Sequence, residues 1–517
     1  MITCNAKFNA EDGLATIVMA TSLSTAFVDL LKADSSVQHS RTDLVTHPLV
    51  VDLDGTLLRS DLLVETGMAF LRSHPFQSYK TIGWLAQGKT VLKARLARAT
   101  HIDVTVLPYN PAVLELIKKA RDEKRSVVLA TASHHTLAEQ IAEHLQLFDL
   151  VLATNDERNL SALIKRGVLI EHFGEFGFDY VGNSCDDISV WSAARHAYVV
   201  DPERGVERRA QALGNVKQTI RSSAAPLKTW ISALRIHQWM KNSLIFVPLL
   251  AAHQITNPTL VWQGVLAFIL FGLCASSVYI LNDLLDLADD RHHHSKKSRA
   301  FASGNLSIKT GIVAFPLLLG SAFIGAVFLL PWQFAAVLLV YYFLTLAYSL
   351  YLKRQMAVDV IALATLYTLR IIAGAAAFKL ELTFWMLAFS MFMFLSLALV
   401  KRYAELREAR VKGRTGKTRG RGYYPDDLEM ISSLGASSGY LAVMVLALYI
   451  HDPATINLYS HPQIIWLACP LLLFWITRVW MLTHRGLIHE DPVVFAIRDR
   501  VSLMVGTLFC VVFWGAA

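Results

Sequence analysis

Charge is scarce in this chain: 17% of its 517 residues are Asp, Glu, Lys or Arg, against 54% hydrophobic. With a mean hydropathy of +0.40 it is too apolar for an ordinary soluble protein. Cysteine is scarcer still. The five, at 4, 185, 274, 469 and 510, show neither paired nor metal-like spacing, which argues against a disulfide framework and a zinc site. A secretory leader lacks its basic opening, and Gly13–Leu31 carries too many hydroxyls to span a bilayer, so 1–46 is expected to be an extension holding at most a short helix. The net charge of +8 would suit nucleic acid, but the basic residues lie between apolar runs, where the positive-inside rule puts them. No nucleic-acid partner is expected.

What is present divides the chain in two. From Leu49 to about Pro202, short apolar runs (Leu49–Leu53, Ser126–Ala130, Leu150–Ala153, Tyr180–Val181, Tyr198–Val200) alternate with helical stretches such as Pro111–Arg121 and Leu137–Leu145. That alternation argues for a parallel sheet covered on both faces. Ligands bind at the carboxyl ends of such strands, and the first run ends in Asp52-Leu53-Asp54-Gly55-Thr56. Thr131 follows a later strand, Lys165 lies on a helix, and Gly182-Asn183-Ser184-Cys185-Asp186-Asp187 forms an acidic loop.

These four ordered elements resemble the haloacid dehalogenase (HAD) superfamily. The resemblance implies an α/β, Rossmannoid phosphatase domain over 47–203, with a helical cap at about 60–108 that selects substrate. It implies Asp52 as nucleophile, Asp54 as general acid and base, Thr131 and Lys165 on the phosphoryl oxygens, and Asp52, Asp54, Asn183 and Asp187 around Mg²⁺. The family's usual acid at position 183 is here an amide, which weakens the metal site. Residues 204–226 read as a basic linker, and 227–239 as an amphipathic helix on the membrane surface.

The second part, 227–517, is all-α and polytopic. About nine apolar segments are expected, at 243–256, 259–281, 310–330, 332–352, 359–378, 383–400, 431–450, 462–482 and 501–517. Basic residues crowd the loops 282–309, 401–430 and 483–500, whereas the opposite turns hold only Lys379. This places the soluble domain and the basic loops in the cytoplasm of a bacterial inner membrane, with the C-terminus opposite.

Directly after one apolar run comes Asn282-Asp283-Leu284-Leu285-Asp286-Leu287-Ala288-Asp289-Asp290. If the helix continues, Asp283, Asp286 and Asp290 share one face, and three carboxylates so close call for a cation such as Mg²⁺ between them and a substrate phosphate. The basic residues after them, including Lys296 and Arg299, supply counter-charge for a phosphorylated ligand.

This motif resembles the first signature of the UbiA superfamily of membrane transferases, in particular its decaprenyl-phosphate phosphoribosyltransferase branch. Arg235-Ile-His-Gln-Trp239-Met-Lys241-Asn242, Arg370-Ile-Ile-Ala-Gly374, Lys401-Arg-Tyr403-Ala-Glu405 and Ile497-Arg-Asp499-Arg500 match as well, the last two without an assigned role. His294 and Ala300 stand where that branch has prolines. The second acidic motif of aromatic prenyltransferases is reduced to Asp359, with Leu363 in place of its partner acid.

The resemblance implies Mg²⁺ at Asp283, Asp286 and Asp290, with Asn282 beside them, holding the diphosphate of phosphoribosyl pyrophosphate. Arg235, Lys241, Tyr348, Lys353, Asp359 and Arg370 are further substrate-binding candidates, and a polyprenyl phosphate is the acceptor. The HAD-like domain would then remove the 5-phosphate of the product. Two alternatives stand beside this: a prenyltransferase acting on a small acceptor, and a lipid-binding scaffold for the phosphatase.

Overall fold

The computed structural model describes residues 47–516 apart from 156–158, 222–225, 294–295, 414, 418–420, 453–458 and 489–490. The expected extension 1–46 and the departure at His294 lie outside the described residues. Six strands, β1 (Leu49–Val51), β2 (Val127–His134), β3 (Leu150–Thr154), β4 (Asp179–Gly182), β5 (His196–Val200) and β6 (Val216–Ile220), form one parallel sheet in the order β3-β2-β1-β4-β5-β6. The strands read as continuous apolar runs because both faces are covered. Leu49, Val51, Val127 and Leu129 pack to one side, and Val50, Val128, Ala130 and Tyr180 to the other.

Helices α1 (Leu62–Ser73), α2 (Lys80–Ala86) and α3 (Lys89–Ala99) follow β1 and make the cap. Around the sheet lie α4 (Pro111–Asp122), α5 (His135–Leu145), α6 (Ala162–Phe173), α7 (Ile188–Trp191) and α8 (Val206–Gln211). The stretch expected as a linker, 204–226, therefore holds α8 and β6, and β6 pairs with β5. The sequence of β6, Val-Lys-Gln-Thr-Ile, is polar because it is an edge strand, and its alternation reads as weak.

The remainder is helical: α9 (Pro226–Ala233), α10 (Val247–Ala251), α11 (Pro258–Leu285), α12 (Leu287–His292), α13 (Ile308–Leu329), α14 (Trp332–Leu350), α15 (Val358–Phe378), α16 (Phe384–Val411), α17 (Leu428–Ile450), α18 (Ala468–Arg485), α19 (Pro492–Arg498) and α20 (Arg500–Ala516). Among the described residues seven helices are long and apolar enough to cross a membrane, α11 and α13–α18, the last two extended by short 3₁₀ turns, and α20 is a shorter apolar helix. The expected span 243–256 is not one of them.

That stretch is instead a 3₁₀ turn, Ile236–Phe246, leading into the five-residue α10. It enters through Arg235, whose φ of +50° ends α9 and turns the chain inward. Trp239 then lies on Gly272 and donates to Ser276 Oγ at 2.9 Å, so it is packed between helices and lies outside α9, which covers only the first part of the surface helix expected over 227–239. The backbone at Ile245 approaches Gly374 so closely that a Cβ there would stand 2.0 Å from its carbonyl oxygen. Glycines on α11 and α15 thus admit an irregular segment at membrane depth, tolerated there because protein surrounds it. This wedge carries Lys241 and Asn242 into the bundle.

Candidate active sites

In the soluble half the carboxyl ends of β1, β2 and β4 converge. Asp52 Oδ1 meets Lys165 Nζ at 2.6 Å, and Lys165 also donates to the Tyr180 hydroxyl at 3.0 Å. Tyr180 in turn donates to Asp187 Oδ1 at 2.8 Å, while Asp187 Oδ2 accepts from the Asn183 and Ser184 N–H groups. Asp187 therefore fixes the loop that presents Asn183. Asp54 accepts from the Leu62 N–H at 2.7 Å and from Ser133 Oγ at 2.6 Å. Thr131 is fully buried and its hydroxyl accepts from the Ser133 N–H at 2.9 Å. From the cap, Lys93 on α3 reaches the Ala132 carbonyl at 2.6 Å. Nothing in the sequence pattern singled out Ser133, Tyr180 or Lys93, since a hydroxyl or a helix lysine is common anywhere.

Burial sets the protonation here. It pushes the Asp52 carboxyl up to about 7, against the pull of Lys165. Asp54 is raised by burial and by the nearby Asp61 carboxylate, against the donors Leu62 and Ser133. Burial acts to lower Lys165, but the Asp52 and Asp187 carboxylates outweigh it and hold the ammonium above its ordinary value. Lys93 is lowered by burial. The oxygen donors fit a hydrated Mg²⁺, which needs only one or two protein ligands beside substrate phosphate. Asp52 Oδ2 and Asn183 Oδ1 lie 3.5 and 3.4 Å from the one Thr56 hydroxyl. Gly55, at φ +77°, makes this possible: a Cβ there would stand 2.3 Å from Asn183 Nδ2.

The acidic motif of the membrane half is arranged differently from the expectation. Helix α11 stops at Leu285, Asp286 sits at the break, and α12 resumes at Leu287. Asp283 and Asp290 share one guanidinium, Arg299 Nη1, at 3.1 and 2.7 Å, and Asp283 also takes Arg235 Nη2 at 2.5 Å. Asp286 looks elsewhere, with Arg72 at 3.5 Å and Lys353 at 3.8 Å. The three acids do not form one cage, and no group of three or more His, Cys, Asp or Glu among the described residues is placed to hold an ion. Asn282 donates to Ser349 on α14 at 2.9 Å. Lys296 is exposed and has no side-chain partner among the described residues, so it does not join the site.

A second cationic cluster lies around the wedge. Lys241 and Lys401 converge on one carboxylate, Asp491, at 2.7 and 3.3 Å, and the Tyr367 hydroxyl donates to it at 2.9 Å. Burial works to raise Asp491, but the two lysines outweigh it and hold it well below the carboxylate range. Burial lowers Lys241 to about 8. Arg370 is buried on α15 with neutral partners only, Asn242 Oδ1 at 3.1 Å, the Leu366 carbonyl and the Tyr341 hydroxyl, and it lies against the rings of Phe271, Tyr341 and Tyr367. No carboxylate among the described residues pairs with it. The buried amide nitrogen of Asn242 beside it has no hydrogen-bond partner. Asp491 caps α19 through the Val493 N–H, and an acid before a proline is common enough at a helix start that the sequence pattern alone does not single it out.

Two expected substrate contacts are engaged by other side chains. Asp359 is fully buried in an ion pair with Arg402 at 2.7 Å and accepts from the Tyr423 hydroxyl at 2.7 Å, so it is not free to hold a ligand. Tyr348 accepts from Arg421 Nη1 at 2.9 Å, and Arg421 also reaches Glu405. Tyr403 bonds His484 at 2.8 Å.

The family model described as the UbiA prenyltransferase family matches residues 243–496. The uncharacterised protein y4nM of Sinorhizobium fredii is 37% identical over 468 residues, 90% of each chain. The nodulation protein NoeC of Azorhizobium caulinodans is 35% identical over 285 residues, 54% of this chain and 90% of that one. The decaprenyl-phosphate phosphoribosyltransferase of Mycobacterium tuberculosis is 30% identical over 276 residues, 52% of this chain and 88% of that one. The two-part length is thus shared with y4nM, whereas about half of this chain accounts for most of the other two.

Proposed function

Because the chain belongs to the UbiA prenyltransferase family, we propose that its membrane half moves a 5-phosphoribosyl group from phosphoribosyl pyrophosphate to a polyprenyl phosphate, with release of pyrophosphate. The observation that carries the reading is Arg370, a buried guanidinium with no carboxylate partner among the described residues, beside two lysines that share one aspartate. Buried charge without a counter-ion is costly, so this cluster calls for an anion, and a lipid phosphate lying among apolar helices supplies one. The Arg235–Arg299 cluster takes the diphosphate of the donor. As the bond from ribose C1 to the diphosphate oxygen breaks, negative charge grows on the leaving group, where the two guanidiniums stand. An oxygen of the lipid phosphate, held by Lys241, Lys401 and Arg370, then bonds to C1.

Mg²⁺ would add charge neutralisation at a diphosphate, but the acids of the membrane motif do not assemble a site for it, and no step is routed through one there. The name of the mycobacterial relative supports phosphoribosyl pyrophosphate as donor. The occupied Asp359 and the leucine at 363 speak against a second diphosphate-binding acid pair, which a prenyl donor would use.

The soluble half removes the 5-phosphate of the product. The Asp52 carboxylate attacks phosphorus, the bond to the ribose 5-oxygen breaks, and Asp54 gives that oxygen its proton. Asp54 then takes a proton from the water that cleaves the aspartyl phosphate. Lys165 balances the charge on the phosphoryl oxygens. Mg²⁺ held by Asp52 and Asn183 would supply further positive charge at that group. The basic loops support a cytoplasmic placement of both sites. The test is a membrane assay with labelled phosphoribosyl pyrophosphate, following label into the organic phase. Label confined to water, with prenyl diphosphate consumed instead, would replace this reading by prenyl transfer.

A further inference from the structure

Helix α1 belongs to the cap of the soluble half, yet its ends serve different sites. At its start the Leu62 N–H donates to Asp54, and its capping residue Asp61 pairs with Lys309 of the membrane half at 2.8 Å. Its last turn carries Arg72 into the transferase motif. There Nη1 donates to the Leu285 carbonyl at 3.2 Å, at the end of α11 where carbonyls lack intrahelical partners. Nη2 donates to Asp289 at 2.5 Å and lies 3.5 Å from Asp286.

Charge explains why an arginine stands there. Asp283, Asp286, Asp289 and Asp290 fall within eight residues. Arg235 and Arg299 cover Asp283 and Asp290, but the cation that the membrane half offers Asp286 is Lys353, at 3.8 Å. Arg72 adds a closer cation to Asp286 and pairs with Asp289, which lowers the negative charge that an anionic diphosphate meets at the motif.

We propose that Arg72 is a positioning residue of the transferase, supplied by the soluble half: it neutralises and orients Asp286 and Asp289, so that the donor diphosphate binds only while the cap is docked. This rests on the reading of the membrane half as a transferase that releases pyrophosphate. It is a property of the two-part chain, since half of this chain accounts for most of NoeC and of the mycobacterial relative.

The experiment is calorimetric titration of the full-length protein in lipid nanodiscs with inorganic pyrophosphate, comparing wild type, Arg72→Ala, Arg72→Lys and Lys309→Ala. Arg72→Ala is expected to weaken binding about tenfold, as loss of a charge-assisted fork does, and Arg72→Lys to recover part of it as a point charge. Lys309→Ala, which cuts another ion pair between the same halves, is expected to bind as wild type. In turnover the Arg72→Ala loss falls on the KM for the donor and spares that for the lipid, whereas a loosened interface would lower kcat. Equal or tighter binding by Arg72→Ala, equal weakening by Lys309→Ala, or no binding by wild type would each overturn the proposal. Pyrophosphate leaves from a phosphoribosyl or a prenyl donor alike, so a wild type that binds it but never labels lipid defeats the donor assignment and spares this one.

Discussion

Glu65 and Arg291 form a two-pronged ion pair, at 2.6 and 3.1 Å, in which both side chains are almost wholly buried. One belongs to α1 and the other to α12, directly after the acidic motif, so the pair fastens the phosphatase-like half to the transferase-like half. Removing one partner of a buried pair leaves a bare charge and costs about 3–5 kcal/mol. Glu65→Ala is expected to lower the denaturation midpoint of the whole chain in detergent by several degrees. The double variant Glu65→Leu with Arg291→Met is expected to regain most of that loss, read in the same melting experiment.

On the proposed reading, Asp52 and Asp54 serve phosphate release and take no part in the transfer to lipid. Asp52→Asn and Asp54→Asn are each expected to abolish phosphate release while leaving transfer of labelled phosphoribosyl to lipid unchanged. Loss of transfer in either variant would contradict the separation of the two sites.

If Asp52 is the phosphatase nucleophile as proposed, its raised pKa predicts a pH signature. Its nucleophilic form is the carboxylate, so a pKa of about 7 means activity rises as pH is raised through 7 and falls below it. Bound Mg²⁺ favours the ionised form, so the midpoint is expected to move to lower pH as Mg²⁺ is increased. Rapid-quench measurement of phosphoenzyme formation against pH, at low and saturating Mg²⁺, checks both directions.

Lys241 gives the transferase the opposite signature. Burial lowers its pKa to about 8, so its charge is complete below that pH and lost above it. The KM for lipid phosphate is expected to rise as pH passes 8, with the KM for the donor little changed. Arg370→Gln should raise the same lipid KM about tenfold or more at every pH, because a buried charged hydrogen-bond donor is removed.

Asp359 separates a support from a ligand. Asp359→Asn leaves the fully buried Arg402 with the partly exposed Glu405 as its remaining carboxylate partner among the described residues, and is expected to cost about 1–3 kcal/mol of stability. Thermal melting should show that loss, while protein that remains folded keeps the donor KM of wild type. A donor KM raised tenfold with an unchanged melting curve would return Asp359 to the binding site.

Local pattern in the sequence determined the two-part plan. Apolar runs alternating with helical stretches favour a covered parallel sheet, and uncharged stretches of about twenty residues favour membrane helices. Asp52, Asp54 and Asn183 could be singled out because they follow strands, whose carboxyl ends are a fixed place along the chain, whereas Lys165, on α6, was singled out through the family resemblance. Tertiary structure alone decided the rest. Whether 243–256 spans the membrane depended on two glycines on distant helices, Gly272 and Gly374, that open a slot for a broken segment. Strand β6 was hidden because an edge strand needs no strong alternation. Which cation meets which acid was also out of reach, since ion pairs such as Arg72 with Asp286 or Lys241 with Asp491 join residues more than two hundred positions apart. Charge acts through space and in proportion to burial, and neither distance nor burial is written in the order of residues.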